Sequence, residues 1–174
     1  KTYDRLLVAP LQLRTGLLER IEREAAAARA GLPSGIKIKT NSMVDEETID
    51  ALYRASQAGV PIDIWVRGIC SIRAGVPGLS ETIRVRSVLG RYLEHSRIFS
   101  FENGGEQDTY IGSADLMHRN LDRRIEVLVR IVDREHLARI GRFFEFAFSN
   151  EVSSWRMLPD ASWQRRVISD EGET

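Results

Sequence analysis

Apolar residues recur along the chain at two spacings, which predict alternating strands and helices. Short apolar or alternating runs predict strands at residues 6–9, 36–39 and 62–66. A helical spacing marks residues 15–30, which Gly31 and Pro33 terminate. Asp45 occupies the cap position of a second helix, which ends before Gly59.

The second half of the chain repeats strand-like runs and closes on a helix. Strands are predicted at residues 83–88, 98–101, 109–111 and 124–131, and Asp133 caps a last helix with apolar residues at helical spacing. This order predicts an α/β fold, a mixed β-sheet with helices packed on its faces. We expect the domain to span residues 1–158 and residues 159–174 to form a loose polar tail.

Composition narrows the class of protein. A length of 174 residues suits one globular domain, and no apolar run approaches the roughly 20 residues of a membrane helix. Cys70 has no second cysteine to pair with, which fits a reducing compartment. The 25 basic and 25 acidic residues cancel, which argues against whole-chain attraction to nucleic acid or a membrane. Only three of the basic residues are Lys and the rest are Arg, the better bidentate ligand for phosphate.

Arg67 follows a buried strand and precedes Gly68, at the position where open α/β sheets bind ligands. A guanidinium there, beside backbone amides freed by the glycine, suits an anionic oxygen; the alternative is an Arg paired with a surface carboxylate. The loop at 67–81 is longer than the roughly 12 residues above which loops are more often functional. Its spacing matches neither a P-loop nor a dinucleotide-binding motif. Cys70, within this loop, is interpreted as a buried, inert thiol.

Histidine can act as a nucleophile or a proton donor near neutral pH, and the chain has three. His136 falls in the first turn of the last helix, which predicts a surface position, and spacing gives His118 no partner. His95 is followed by Arg97 and later by Gly112-Ser113-Ala114-Asp115. This order resembles the half-site of the phospholipase D superfamily, with Arg97 in place of the usual Lys and without the acidic residue expected next. The alternative is a structural His. No group of residues has the spacing of a zinc site.

Several further segments resemble a single family. They are Arg67-Gly68-Ile69-Cys70, Pro77-Gly78-Leu79-Ser80-Glu81, residues 91–97, Phe101-Glu102-Asn103-Gly104, residues 113–127 and, less specifically, residues 39–45. In order and spacing they are similar to the C-terminal catalytic domain of the long bacterial polyphosphate kinases, the second of two phospholipase-D-like domains in those enzymes. The matching segments cover nearly the whole chain.

The resemblance implies a chemistry. These enzymes reversibly transfer the terminal phosphate of ATP to inorganic polyphosphate, with Mg²⁺ and through a phosphohistidine, in a tunnel between the two domains. The phosphohistidine and the Mg²⁺ ligands belong to the first domain, so the metal ligands are expected mainly outside this chain. By the match, Arg67, His95 and Arg124 bind the phosphates of ATP, and His95 is the candidate catalytic residue that donates or accepts a proton. We expect the three side chains to converge on one open face, within a cluster on the order of 10 Å.

The same resemblance implies partners. They are ATP or ADP, polyphosphate and upstream domains of the same chain, with a homo-oligomer for the intact protein and no nucleic acid. We expect a cytoplasmic location, with peripheral membrane contact left open. Because the first residue is Lys1 rather than Met, the chain is interpreted as a piece of a longer protein that is inactive alone. Two alternatives remain: a domain that only binds polyphosphate or nucleotide, and a phosphodiesterase half-site that dimerises to bring two His together.

Overall fold

The computed structural model describes residues 3–92 and 94–167, which form three helices and nine strands. The helices are α1 (Leu13–Arg29), α2 (Glu46–Gln57) and α3 (Arg134–Phe148). The strands are β1 (Leu6–Ala9), β2 (Ile36–Thr40), β3 (Ile62–Val66), β4 (Ile83–Ser87), β5 (Arg97–Phe101), β6 (Asp108–Gly112), β7 (Glu126–Ile131), β8 (Ser154–Met157) and β9 (Trp163–Arg166). A short 3₁₀ turn at Asn103–Gly105 and a π-helical turn at Arg119–Arg123 lie in the connections. Every element predicted from the sequence is present, with small differences in its bounds.

The described strands join in one sheet, in the order β1-β7-β6-β5-β2-β3-β4-β8-β9. β2, β3 and β4 run parallel to one another. The remaining neighbouring pairs are antiparallel. The expected α/β class, a mixed sheet with helices on its faces, is therefore confirmed.

Helices cover both faces of the sheet because alternate strand residues point to opposite sides. On one face, α1 and α2 pack their apolar stripes, including Leu17 and Leu52, against buried strand residues such as Ile64. On the other face, α3 packs against the neighbouring strand residue Trp65, whose ring meets that of Phe144 edge to face at 6.4 Å between centroids. The result is a three-layer domain.

The two predicted helix caps are present. The Asp45 carboxylate accepts a hydrogen bond from the Thr48 N–H at 3.1 Å, and Asp133 accepts from the N–H groups of Glu135 and His136. Each cap satisfies backbone donors that the first helical turn leaves free. Within the described ranges, no helix has the length and apolar character that crossing a membrane would require.

The segment after residue 158 does not begin as a loose tail. β8 and β9 form an antiparallel hairpin on the edge of the sheet, in which Met157 lies opposite Trp163. Met157 is buried and Trp163 packs on the main core, which gives the hairpin an apolar anchor. The connecting turn is closed by the Asp160 carboxylate, which accepts from the Ser162 N–H. Because the segment is mostly polar, its composition did not predict the short strand β9. Residues 168–174 lie outside the described part of the chain.

Apolar and polar residues alternate along the predicted strand β7, but its more apolar face points away from the main core. Ile125, just before the strand, is 85% exposed and Val129 is 42% exposed. The side chains that point inward are those of Glu126 and Leu128. Glu126 is satisfied there by hydrogen bonds from Ser113 and Asn120, so a carboxylate occupies a position that periodicity alone would give to an apolar residue.

Two glycines test how tightly the sheet is packed. A Cβ added at Gly112 would lie 1.9 Å from the Val127 carbonyl oxygen, whereas one added at Gly141, inside α3, would meet nothing within 4 Å. We expect Gly112→Ala to lower the free energy of unfolding by about 1–3 kcal/mol, through overpacking against backbone. Gly141→Ala, the matched control, should raise it by about 0.5–1 kcal/mol. Urea unfolding of both variants measures this, and equal effects would contradict the packing at β6.

Candidate active site

One edge of the sheet gathers the residues singled out from the sequence. β2 and β3 end there, at Thr40 and Val66, while β5 and β7 begin there, at Arg97 and Glu126. We call this the site edge. Because Arg67 follows β3, His95 precedes β5 and Arg124 precedes β7, all three positions lie along it.

Arg67 and the segment of His95 are in direct contact. The Arg67 guanidinium donates to the backbone oxygen of Glu94 at 3.2 Å. The backbone N–H of Arg67 donates to the backbone oxygen of Thr40. Arg67 is half-buried and the His95 side chain is exposed. The Arg67 guanidinium is therefore held next to the His95 segment by a backbone oxygen, and the exposed His95 imidazole is accessible to a ligand.

Gly68 has a different role from the one expected. Its N–H is not free for an anion, since it donates to the Asn41 oxygen at 2.8 Å. A Cβ at Gly68 would lie 2.8 Å from that same oxygen, so only glycine allows the two backbones to approach this closely. The glycine thus connects the end of β3 to the end of β2 at the site edge.

Arg124 lies farther along the edge. Neighbouring strands are about 4.8 Å apart, so the start of β7 is roughly 10 Å from the start of β5 and roughly 20 Å from the end of β3. Its side chain is exposed. The structure thus brings Arg67 together with the segment of His95. By the same strand spacing, the backbone of Arg124 lies outside the expected cluster of roughly 10 Å around Arg67, at a distance that an extended ligand could span.

A buried lysine holds the backbone on both sides of His95. The Lys39 ammonium pairs with the Glu94 carboxylate and donates to the Ser96 oxygen at 3.0 Å. It is only 1% exposed and lies over the Trp65 ring, 4.8 Å from the centroid. Burial lowers the pKa of Lys39, an effect that the pairing with Glu94 opposes. Burial by itself would raise the pKa of Glu94, but Lys39 and Ser96 bring it below its usual range.

A buried carboxylate, that of Asp115, connects the end of β2 to the start of β5. Asp115 is bound through two guanidinium nitrogens of Arg97, at 3.2 and 2.9 Å, and accepts from the Thr40 hydroxyl at 2.8 Å. The same carboxylate accepts from the backbone N–H of Asn41 at 2.8 Å. Burial would raise the pKa of Asp115, but Arg97, Thr40 and Asn41 together hold it below its ordinary value. Arg97, which follows His95 in the phospholipase-D-like pattern, is thereby committed to an ion pair.

His118 acquires partners that its spacing did not predict. Its two ring nitrogens lie 2.7 Å from a Glu46 oxygen and 3.1 Å from an Asp122 oxygen. Asp122 and then Glu46 raise the pKa of His118. One ligand atom each from Asp45, Glu46 and His118 falls within 4.8 Å of the others, yet Asp45 is already bound by Arg14 and caps α2. These hydrogen bonds and ion pairs connect the turn after β6 to the start of α2.

Cys70, which the sequence predicts to be buried, is half-buried, and His136 has the predicted surface position. Burial raises the pKa of the Cys70 thiol to about 11, so it stays protonated at neutral pH. His136 is exposed on the first turn of α3. Neither side chain offers a nucleophile to the site edge.

Sequence reasoning gave no role to Lys39, Asn41, Glu94 or Asp115. All four lie in segments that carry the family resemblance, which was the available signal. Their roles depend on contacts between residues that are distant in sequence. Lys39 and Glu94, like Asn41 and His95, are more than 50 residues apart. Spacing along the chain does not reveal such contacts.

Asp115 should make the stability of the site edge sensitive to acid. Because its folded pKa lies below the ordinary value, its contribution to stability is present above roughly pH 4 and is lost as the pH falls through the folded pKa. Asp115→Asn leaves Arg97 without its charge partner and should cost about 3–5 kcal/mol at pH 7. This deficit should shrink below roughly pH 4.

Urea unfolding between pH 3 and 7 measures the deficit. Asp50→Asn, at an exposed position of α2, is the matched control and should change stability little. A deficit for Asp115→Asn that stays constant with pH would show that the Arg97 pairing does not carry the effect.

Comparisons with known proteins agree on one family. The family model described as polyphosphate kinase C-terminal domain 2 matches residues 6–174. The polyphosphate kinase of Streptomyces coelicolor is 60% identical over 173 residues, which cover 99% of this chain and 23% of that protein. Polyphosphate kinase 1 of Chlorobaculum tepidum is 50% identical over 161 residues, again 23% of its length. The chain thus spans about a quarter of the curated relatives it matches.

Solved structures give the same result for the fold. The crystal structure of polyphosphate kinase from Porphyromonas gingivalis superposes with a TM-score of 0.91 at 37% identity, over 99% of this chain and 26% of that one. Nuc from Salmonella typhimurium, a phospholipase D family member, gives a TM-score of 0.62 at 16% identity, over 86% of this chain and 95% of that one. The second likeness shows a phospholipase-D-like fold alone. From its sequence and its fold, the chain belongs to the family of polyphosphate kinase C-terminal domains.

Proposed function

We propose that this chain forms the phosphate-binding wall of an enzyme that reversibly transfers the terminal phosphate of ATP to inorganic polyphosphate. The observation that carries the proposal is the charge balance at the site edge. Arg67 is half-buried, its guanidinium is bound only to a backbone oxygen among the described residues, and His95 is exposed. The carboxylates beside them, Glu94 and Asp115, are neutralised by Lys39 and Arg97. Such an edge favours phosphate oxygens.

Each proposed ligand has a distinct part. Arg67 binds phosphate oxygens of ATP in the ground state, where a guanidinium can make two parallel hydrogen bonds. His95 acts on the phosphate during transfer as a proton donor or acceptor. Arg124, farther along the edge, binds another phosphate. Phosphoryl transfer depends mostly on positioning and on neutralising charge, which these three side chains can supply.

The phosphohistidine belongs to another part of the enzyme under this proposal. Mg²⁺ is also assigned elsewhere, because it prefers oxygen ligands and usually one or two carboxylates. At the site edge, Glu94 and Asp115 are paired with cations, and Asp45 and Asp122 share Arg14. These residues do not fit a magnesium site, so we derive no step through the metal in this chain.

The phosphodiesterase alternative is weakened by the same contacts. Its pattern assigns phosphodiester binding to the cation two residues after His95, and that residue, Arg97, is bound to Asp115 through two nitrogens. The binding-only alternative predicts no transfer in any form of the protein. Assays on the full-length enzyme distinguish it from the proposal.

Replacing the two site residues in the full-length enzyme tests the proposal. His95→Ala should lower turnover by roughly 10²–10⁴-fold with little change in melting temperature. Its control is His136→Ala, at an exposed position on α3. Turnover at the wild-type level in a folded His95→Ala enzyme would remove His95 from the mechanism.

Arg67→Ala should raise KM for ATP as well as lowering kcat, because Arg67 contributes before the transition state. Arg67→Lys should restore only part of the loss, since Lys keeps the charge without the two-pronged geometry. Arg139→Ala, at an exposed position on α3, is the control. A lowered melting temperature with normal activity per folded molecule would instead indicate a purely structural Arg67.

The isolated chain should not become phosphorylated by ATP. The proposed phosphohistidine is not among its histidines, and His118 is engaged by Glu46 and Asp122. Incubation with γ-labelled ATP, followed by electrophoresis under alkaline conditions, measures the label, with the full-length enzyme as positive control. Stoichiometric acid-labile phosphate on His95 would reverse the assigned roles.

A further inference from the structure

Asn41 is the one described residue that contacts His95 through its ring. The Asn41 amide nitrogen lies 3.0 Å from Nδ1 of His95. Its backbone is fixed on both sides, since its N–H donates to Asp115 at 2.8 Å and its oxygen accepts from the Gly68 N–H at 2.8 Å. Asn41 thus connects His95 to the ends of β2 and β3.

The direction of this hydrogen bond determines where the imidazole proton lies. An amide NH₂ only donates, so Nδ1 of His95 accepts and the proton of the neutral ring is on Nε2. With the amide turned over, Nδ1 would carry the proton instead. The Asn41 oxygen is buried without a partner in the described ranges. The reverse orientation would bury an NH₂ with two unpaired donors there, and buried unpaired donors are rarer than under-satisfied carbonyl oxygens.

The cations near His95 bind the backbone oxygens of residues 94–96 and not the His95 ring. Arg97 donates to the His95 oxygen, Arg67 to the Glu94 oxygen and Lys39 to the Ser96 oxygen. The Glu94 carboxylate accepts from Lys39 and from the Ser96 N–H. In the described part of the chain, the ring therefore has an amide and no carboxylate as its hydrogen-bonding partner.

We propose that Asn41 is a positioning residue that holds His95 as the tautomer with its proton on Nε2. The neutral His95 then faces phosphate as a hydrogen-bond donor, and its outward nitrogen has no lone pair available to accept a proton or to attack phosphorus. Transfer of a proton from this nitrogen requires the imidazolium. This inference rests on the proposed function and narrows the part that His95 plays in it. It also explains why an uncharged Asn, rather than an acid, occupies position 41 in an edge that binds anions.

Asn41→Asp in the full-length enzyme tests the tautomer. A carboxylate accepts from Nδ1–H, so the neutral ring would carry its proton on the wrong nitrogen, and only the imidazolium could still donate from Nε2. We expect activity within about tenfold of wild type at low pH and a loss of roughly 10²-fold or more as the pH rises. Asn103→Asp, in the 3₁₀ turn at the opposite edge of the sheet, is the matched control and should leave the pH profile unchanged.

Asn41→Ala provides a second measurement if the Asp variant does not fold. It should lower kcat for polyphosphate synthesis about tenfold, leave KM for ATP nearly unchanged and keep the wild-type pH profile. Wild-type kcat in folded Asn41→Ala would overturn the positioning role.

The outcomes separate this inference from the function on which it rests. Wild-type enzyme that makes no polyphosphate from ATP refutes the proposed function, and the role of Asn41 with it. Active wild-type enzyme together with an Asn41→Asp profile parallel to wild type, or with activity preserved at high pH, refutes the tautomer alone.

Discussion

The carboxylate of Asp115 is the interaction on which the site edge depends. It lies after β6, yet its oxygens bind the Thr40 hydroxyl, the Asn41 N–H and the Arg97 guanidinium. These groups belong to the end of β2 and the start of β5, which flank the position of His95. A carboxylate with several donors is strongly stabilised in its charged form, and removing it would leave Arg97 uncompensated. Asp115 therefore holds the end of β2 and the start of β5 together at the site edge.

The charge balance of the edge follows from two such pairings. Lys39 neutralises Glu94 and Arg97 neutralises Asp115, so the acids near His95 are used to hold backbone and cations in place. Arg67, which binds a backbone oxygen, contributes a positive charge that no neighbouring acid cancels in the contacts described. A net charge of zero over the chain is thus compatible with a cationic edge, because charge is distributed locally.

The fold was predictable wherever local signals agreed with burial. Asp45 and Asp133 mark true helix starts because a cap is a contact between near neighbours. Prediction failed at β8 and β9, whose pairing depends on an apolar contact between Met157 and the core rather than on composition. It also failed at Gly68, where the constraint is a close approach to Asn41, a residue distant in sequence. The partners of His95 were unpredictable for the same reason.

The position of His95 is fixed by contacts to its backbone and to its neighbours, although its side chain is exposed. Its ring is open to a ligand, while its own backbone oxygen accepts from Arg97 and the flanking residues 94 and 96 are bound by Lys39. Burying the Lys39 ammonium carries a desolvation cost, which its lowered pKa reflects. Stability alone would be served as well by an apolar residue at this position. What the lysine adds is two directed contacts, one on each side of the histidine, and orientation is what phosphoryl transfer requires of a protein.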